Sequence, residues 1–492
     1  MATFNLLRNS RVLFTTNVNS TGVIQASGFT AANTQELQIL DGFSFSQASN
    51  ADTVTISEAG NTPVRGQRSF NTSLANVEFS FSTYIRPKLP STLVTAEESH
   101  LWNALLSTTA IGTAAAWTAT TITTASTTVS AAGLLTLIGT AFTNTGLTVG
   151  ETYVIKGVTG VGASQFNSAV KIVSLSATTI TAQYATAPTA AVVVGNWSTA
   201  VTMTKTAWND YVAIATDTAG PAYGGAGVAY SEITSGLSNK NQLLAFGMLI
   251  TVDGVTYAID NAAMDQAVID FGLDGIATVA WTGKGTALRQ LATVITFNDT
   301  APLLPVLSGG ATGTAAGKVT DAKFITNKLS TVTLQSSIAG ATSPTAYTLA
   351  LTGGSVTIAN NITYVTPANL GVVNVPIGYF TGTRAITGSL TAYLRTGSTN
   401  TAGLLSNLLA AASTAAGVEP KFRLQVEIGG SANPVRVEFE SRGAFLQIPT
   451  IDAQAVMSTT INFTAEGSGA QASTNVYDIE NTNEVSIRYL SN

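Results

Sequence analysis

Histidine occurs once in this chain, at His100, and cysteine not at all. A Ser-His-Asp arrangement would have to use His100, and no nucleophile elbow accompanies it. Cysteine nucleophiles, thiolate zinc sites and disulfides are excluded together. Gly309 to Lys318 (GGATGTAAGK) approaches a phosphate-binding loop. However, Thr312 stands where its first glycine belongs and Val319 where its hydroxyl residue belongs, so the run reads as linker. The carboxylates Asp265, Asp270, Asp274, Glu438 and Glu440 lie on or beside alternating stretches without the spacing of a calcium loop. Their plainest reading is a solvated strand face. No enzyme, metal or cofactor is expected.

The elements around these residues are β-strands. Thr, Ser, Val, Ala and Gly dominate the 492 residues, and charged residues make up only 10%. A net charge of −5 argues against a protein that binds nucleic acid by neutralising phosphates. So sparsely charged a surface suits a protein covered largely by copies of itself. The start, MATFNLLRNSRVLF, lacks a basic-then-apolar export signal, and runs such as Leu243 to Ile250 are too short to span a bilayer. Synthesis and assembly in a cytoplasm are expected.

One stretch occurs twice. AAMDQAVIDFGLDGIATVAWTGKG (262–285) and AFLQIPTIDAQAVMSTTINFTAEG (444–467) align without a gap. Asp270 then falls on Asp452, Val279 on Ile461 and Trp281 on Phe463. Each copy reads as a hairpin, which must belong to a larger sheet to be stable in water.

In chain order, Arg8 to Phe14 and Glu36 to Ser46 read as strands, the latter with a turn or bulge at Asp41-Gly42. Asn50 to Asn71 is a long polar excursion, either a loop or an arm that orders against a neighbour. Val77 to Arg86 (VEFSFSTYIR) alternates cleanly, with Val77, Phe79, Phe81 and Thr83 on one face. Ala96 to Leu106 (AEESHLWNALL) reads as a helix capped by Thr95, which makes His100 a surface or boundary residue. Residues 118–204 read as short strands of a small barrel or sandwich. Asn209 to Gly236 reads as connection, Gln242 to Thr251 and Val255 to Asp260 as a strand pair, and Arg289 to Asp321 as linker.

The second half repeats the order. Leu351 to Ala359 matches the strand around Phe43 and Phe45, and LTAYLR (390–395) lies on FSTYIR (81–86), setting Tyr393 on Tyr84. Leu404 to Leu409 matches the helix at Leu101 to Leu106, and 422–428 with 435–441 matches the pair at 242–260. The helices lie roughly 303 residues apart but the hairpins only roughly 182, so the first copy carries about 120 extra residues, as a domain inserted at an exposed loop would add. The expected fold is mainly β with a few helices. It comprises two tandem β-sandwich domains, each with a flanking helix (1–117 with 205–290, and 323–492), a linker (291–322) and an inserted small β-barrel or sandwich module (118–204).

LLRNSRVLF, SNADTVTISEAGNTPVRGQRSFN, EFSFSTYIRP, LWNAL, the first hairpin and NNITYVTPANLGVVNVPIGYFTGTRAITGSLTAYL together resemble the tail tube proteins of tailed bacteriophages. The resemblance is to the siphophage subgroup whose tube protein contains two fused tube domains. It implies trimeric, pseudo-hexameric rings that stack into a virion tube, with the hairpins lining an inner β-barrel through which DNA passes without sequence-specific binding. The implied partners are copies of the chain itself and the tape measure, tail tip and terminator proteins. The long loop matched to the contact with the next ring carries Ser46, Asn50, Glu58, Asn61, Arg65, Arg68 and Asn71. The lumen candidates on the hairpins are Asp265, Asp270, Asp274, Asp452 and Gln454. The chain departs from its relatives in carrying the inserted module, expected on the outside of the tube, and in ending at Asn492 without an appended immunoglobulin-like domain. A bacterial surface or adhesin-like β-repeat binding protein also fits the composition, but it needs an export signal.

Overall fold

The computed structural model describes residues 10–29, 33–40, 42–56, 66–85, 98–106, 230–236, 243–252, 255–272, 275–291, 325, 327, 330–336, 346–370, 372–412, 421–429, 435–452, 457–465 and 483–491. Within the inserted stretch it describes 120–122, 124, 126–131, 133–139, 147, 152–160, 163–167, 169–184, 188–189, 197 and 201–205. The protein is mainly β, as the alternation predicts.

The first repeat begins with β1 (Ser10–Thr15), β2 (Thr34–Leu37), β3 (Ser44–Ile56), β4 (Gly66–Tyr84) and helix α1 (Ser99–Leu106). It resumes with β12 (Tyr230–Gly236), β13 (Phe246–Val252), β14 (Val255–Gly272), β15 (Thr278–Gly285) and β16 (Ala287–Gln290). One antiparallel ladder runs β2-β1-β13-β14 and a second runs β3-β4-β15-β14. The 18-residue β14 belongs to both, its first half pairing β13 and β16 and its second half pairing β15.

The strand turns from one ladder to the other at Asn261, whose φ of 46° lies in the left-handed region that asparagine tolerates better than most residues. The turn is pinned by its neighbour. Buried Asp260 accepts from the backbone N–H of Ile24 at 2.9 Å and is ion-paired with Arg289, which also donates to the Ile24 carbonyl at 2.7 Å.

Alternation gives each ladder one apolar face, and the two faces share a core. Val12, Phe14, Phe246 and Met248 from one ladder pack in the same cluster as Val77, Phe79, Phe81 and Trp281 from the other. Helix α1 inserts Leu101, Trp102 and Leu105 there, with Trp102 edge-on to Trp281 at 4.5 Å between ring centroids. The buried Trp281 indole donates to Thr83 Oγ1 at 2.9 Å, so its polar edge is satisfied.

The second repeat has the same plan. It contains β17 (Thr331–Ser336), β18 (Ala346–Thr348), β19 (Leu351–Ala359), β20 (Thr363–Val365), β21 (Gly378–Phe380) and β22 (Ala385–Tyr393). Helix α3 (Thr401–Ala412) follows, then β23 (Lys421–Ile428), β24 (Val435–Leu446), β25 (Thr450–Asp452), β26 (Ser458–Ala465) and β27 (Asn483–Ser491). The ladder β18-β17-β23-β24 repeats β2-β1-β13-β14, and β19-β22-β26 followed by β24 and β25 repeats β3-β4-β15-β14. Where β14 is continuous, its counterpart is interrupted between Leu446 and Thr450. Pro449 lies in that gap, and a proline has no N–H to give a ladder.

The two repeats join within one sheet. β14 pairs β19 from Gln266 opposite Ala359 to Gly272 opposite Gly353, giving the order β3-β4-β15-β14-β19-β22-β26-β25. The inserted stretch forms a separate seven-stranded sheet from β5 (Thr120–Ile122), β6 (Ser126–Val129), β7 (Leu134–Ile138), β8 (Thr152–Lys156), β9 (Ala169–Leu175), β10 (Thr179–Tyr184) and β11 (Val201–Lys205), with α2 (Ala163–Phe166). Its order is β5-β11-β8-β9-β10-β7-β6, so the two end strands are consecutive in the chain. The residues between Ile122 and Ser126 reach at most about 14 Å, which requires the sheet to roll round its own core, with Trp197, Ile172 and Tyr153 inside.

Three segments differ from the sequence reading. Glu36 to Ser46 is two strands, β2 and β3, with Gly42 between them at a φ of 104°. The polar excursion from Asn50 is an antiparallel strand pair over its described length, running from Ser44 opposite Ser80 to Ile56 opposite Gly66 with register shifts at Gln47/Ser49 and Asn50/Ala51. Residues 230–236, read as connection within the first repeat, form β12 and pair with β27 of the second. The alternation in Tyr230-Ser-Glu-Ile233-Thr is strand-like, and the glycine-rich run before it obscures the signal. Thr95, the proposed cap of α1, and most of the linker lie outside the described residues.

Candidate assembly surface

Each strand of the eight-stranded sheet that buries Phe, Trp or Ile on one face must present the alternate residues on the other. Here most of those residues carry hydroxyls. One rung crosses six strands as Tyr84, Thr278, Asp270, Ser355, Ser389 and Asn462. A neighbouring rung runs Ser82, Ala280, Val268, Thr357, Thr387 and Thr464. Hydroxyls opposite one another bond across strands, Ser44 to Ser80 at 2.8 Å and Ser355 to Ser389 at 3.4 Å. Glu78 and Asp270 are exposed on this face.

Among the described residues of these strands below the β3–β4 arm, Lys284 is the one cation of the face. Its ammonium group is held 2.9 Å from Asp265 and donates to the Ile362 carbonyl at 2.9 Å. A cleft of about 300 Å³ opens here, lined by Ser46, Glu78, Asp265, Thr282 and Lys284.

The lumen candidates therefore separate. Asp270 stands on the open face, opposite Thr278. Asp452 occupies the equivalent rung, opposite Ser458, which in turn faces Tyr393 as Thr278 faces Tyr84. The gapless overlay is correct for the aspartates but two residues out on the following strand: Trp281 corresponds to Ile461, not Phe463, because the second hairpin has the shorter turn. Asp265 does a different job. It is half-buried, ion-paired with Lys284, and accepts from the N–H of Ile362 at 2.7 Å, so it anchors the segment after β19. Asp274 and Gln454 lie outside the described residues. Glu438 and Glu440 fall on the other ladder, opposite Arg488 and Ser486 of β27.

Two projections rise from one end of this sheet. The first is the β3–β4 arm, where Ser46, Asn50, Arg68 and Asn71 are exposed; Glu58, Asn61 and Arg65 lie outside the described residues. Polar rungs brace it, with Asn50 donating to Ser73 Oγ at 2.9 Å and Thr53 bonding Ser69 at 3.1 Å. The second is the segment from β19 to β22, the positional counterpart of the arm, which the sequence reading used for the resemblance without giving it a role. Its base is fixed by Asp265 and by Tyr364, whose hydroxyl donates to the Asn261 and Lys284 carbonyls at 2.7 and 3.0 Å. Burial, with Tyr379 and Asp265 beside it, pushes the Tyr364 phenol well above its ordinary pKa, so it stays a donor. Higher up, Asn374 bridges Ser73 of the arm, and Leu74 N–H donates to the Asn374 carbonyl at 2.8 Å.

The sheet has two open edges. Among the described residues β3 pairs only with β4, and β25 only with β26. Such edges present unpaired N–H and C=O groups, a template for another chain. His100 takes no part in this surface. It is packed near the Phe14 ring at 6.1 Å, and burial lowers its pKa to about 4, so the imidazole is neutral.

No protein-family model matches the chain. It is 26% identical over 465 residues to the tail tube protein pb6 of Escherichia phage T5, covering 94% of this chain and 72% of that protein. The resemblance carried by a few motifs thus extends over nearly the whole length, and the chain is similar throughout to a phage tail tube protein.

Proposed function

We propose that the chain is the structural subunit of a phage tail tube, in which the eight-stranded sheet forms a segment of the inner wall. The observation that carries this reading is the pairing of a hydroxyl-lined face with two open edges on one continuous sheet. Edge β25 of one copy pairs with edge β3 of the next, and closure removes the exposed edges altogether. Three copies supply about 24 strands, the two repeats of each copy standing as successive wall units of a pseudo-hexameric ring. Residues 1–117 with 205–290 and residues 323–492 are the two tube domains. Residues 118–204 form a separate module on the outside, and the 291–322 linker joins the halves. The rings stack into the virion tail, assembled in the host cytoplasm, alongside tape measure, tail tip and terminator proteins.

A face of Ser, Thr and Asn with scattered carboxylates offers phosphates no cluster of cations, so DNA passes without being held. Electron microscopy of the purified protein tests the reading. Hollow tubes of stacked rings are expected; a persistent monomer, or a cell-surface ligand bound by the monomer, would overturn it.

A further inference from the structure

We propose that Pro449 makes the joint between copies one ladder bond weaker than the joint within the chain, and so restrains free subunits from polymerising. This rests on the tube reading above and names what regulates its edge contact.

The internal joint shows what a complete one holds. Asn360 N–H donates to the Asp265 carbonyl at 2.8 Å. Along an antiparallel pair the bonded residues alternate, so Asp265, Ala267 and Ile269 are those of β14 whose backbone groups point at β19. Ala267 stands opposite Ile358 and directs its N–H there.

The open edge is built differently. Leu394 N–H donates to the Met457 carbonyl at 2.9 Å, which turns Thr459 towards β22 and leaves Ser458 and Thr460 to bond Asp452 and Thr450. The backbone of Ile451, and of Pro449 two residues before it, then faces the open edge. Asp452 matches Asp270, so Pro449 stands where Ala267 stands, with no N–H to offer. Ile451 stands where Ile269 stands, but is 42% exposed against 2%.

The same equivalence fixes what the edge receives from a second copy. Ser44 opposite Ser80 matches Ser355 opposite Ser389. Carried over to the open edges, the internal register sets Asp452 opposite Ser44, Ile451 opposite Phe45 and Pro449 opposite Gln47 of the next copy. Leu40 N–H donates to the Ser82 carbonyl at 2.8 Å, so Ser80 and Glu78 also face β3, and Phe45 and Gln47 point their backbone groups outwards. The half-buried Phe45 then covers Ile451, whereas the Gln47 carbonyl meets no donor. Every free chain carries both edges, and an edge proline is one of the ways open strands are kept from pairing too readily.

Pro449→Ala restores the N–H at this one position. The lowest protein concentration at which tubes form should fall about five-fold, the worth of one net ladder bond. The new amide should be protected from hydrogen exchange in tubes but not in the free chain. Ile451→Pro removes a second outward N–H and should raise that concentration at least as far, with the free chain still folded by circular dichroism. An unchanged threshold in either variant, or an amide at 449 that exchanges freely within tubes, would overturn the proposal. A wild-type protein that forms neither rings nor tubes at any concentration would instead overturn the tube reading, and this proposal with it.

Discussion

Asp270 and Asp452 occupy the same place in two equivalent rungs, and the rungs are four residues out of step. Crossing the sheet from Tyr84 through Thr278, Asp270 and Ser355 leads to Ser389, four positions before Tyr393, the counterpart of Tyr84. The sheet therefore climbs four residues for every four strands. That stagger is what separates a wall segment of a tilted barrel from a flat sheet.

If every wall unit repeats this step, shear equals strand number, the ratio at which barrel strands tilt by about 36°. About 24 strands at this tilt and ordinary spacing give a backbone diameter of about 45 Å. Helical reconstruction of tubes should measure both. Strands within about 15° of the tube axis would contradict the stagger.

In each repeat a glycine gives way to a phenylalanine on the paired strand, Gly283 to Phe79 and Gly388 to Phe463. A Cβ on Gly388 would run into the Ser355 carbonyl oxygen and the Phe463 ring. Gly388→Val should cost about 1–3 kcal/mol or more and lower the melting temperature. Gly378→Ala, whose Cβ would meet nothing within 4 Å, is the control and should leave the melting temperature unchanged.

His100 gives the pH dependence. Its pKa falls from 6.5 unfolded to about 4 folded because burial disfavours the imidazolium. Between those values the unfolded chain binds more protons, so this contribution is fully present above pH 6.5 and is lost as pH falls towards 4. His100→Leu should flatten the fall in melting temperature across that window, while the carboxylate titrations lower down persist. An unchanged slope in the variant would place the proton uptake elsewhere.

The strands that alternate cleanly were legible. Val77, Phe79, Phe81 and Thr83 are buried as VEFSFSTY predicts, and the aspartates of the repeated hairpin do occupy equivalent rungs. What the alternation could not carry was pairing between distant segments. Nothing in YSEITSG shows that β12 joins β27, some 250 residues on, because a strand's periodicity specifies its faces and not its neighbour. Asp265 misled for a related reason: a bulge between Met264 and Gln266 shifts the register there and turns its carboxylate towards Lys284. The exposed apolar side chains between β20 and β21 were missed because Val373, Val375 and Ile377 alternate as those of a half-buried strand would, so the pattern does not show their exposure.

The last prediction concerns the face that DNA would meet. Thr387 and Asn462 are exposed and project from adjacent strands, and arginine at both would place two cations in each second repeat, six in a ring of three copies. Both side chains point away from the core, so ring formation should survive. Each phosphate neutralised makes duplex binding steeper in salt by a slope of about −0.9, so even a few contacts should hold DNA at low salt and release it as salt rises. Assembled tubes of Thr387→Arg/Asn462→Arg should therefore retain duplex DNA in 50 mM salt, where wild-type tubes do not, and lose it as the salt is raised. Equal DNA retention by the two proteins at every salt concentration would mean that this face does not line the channel.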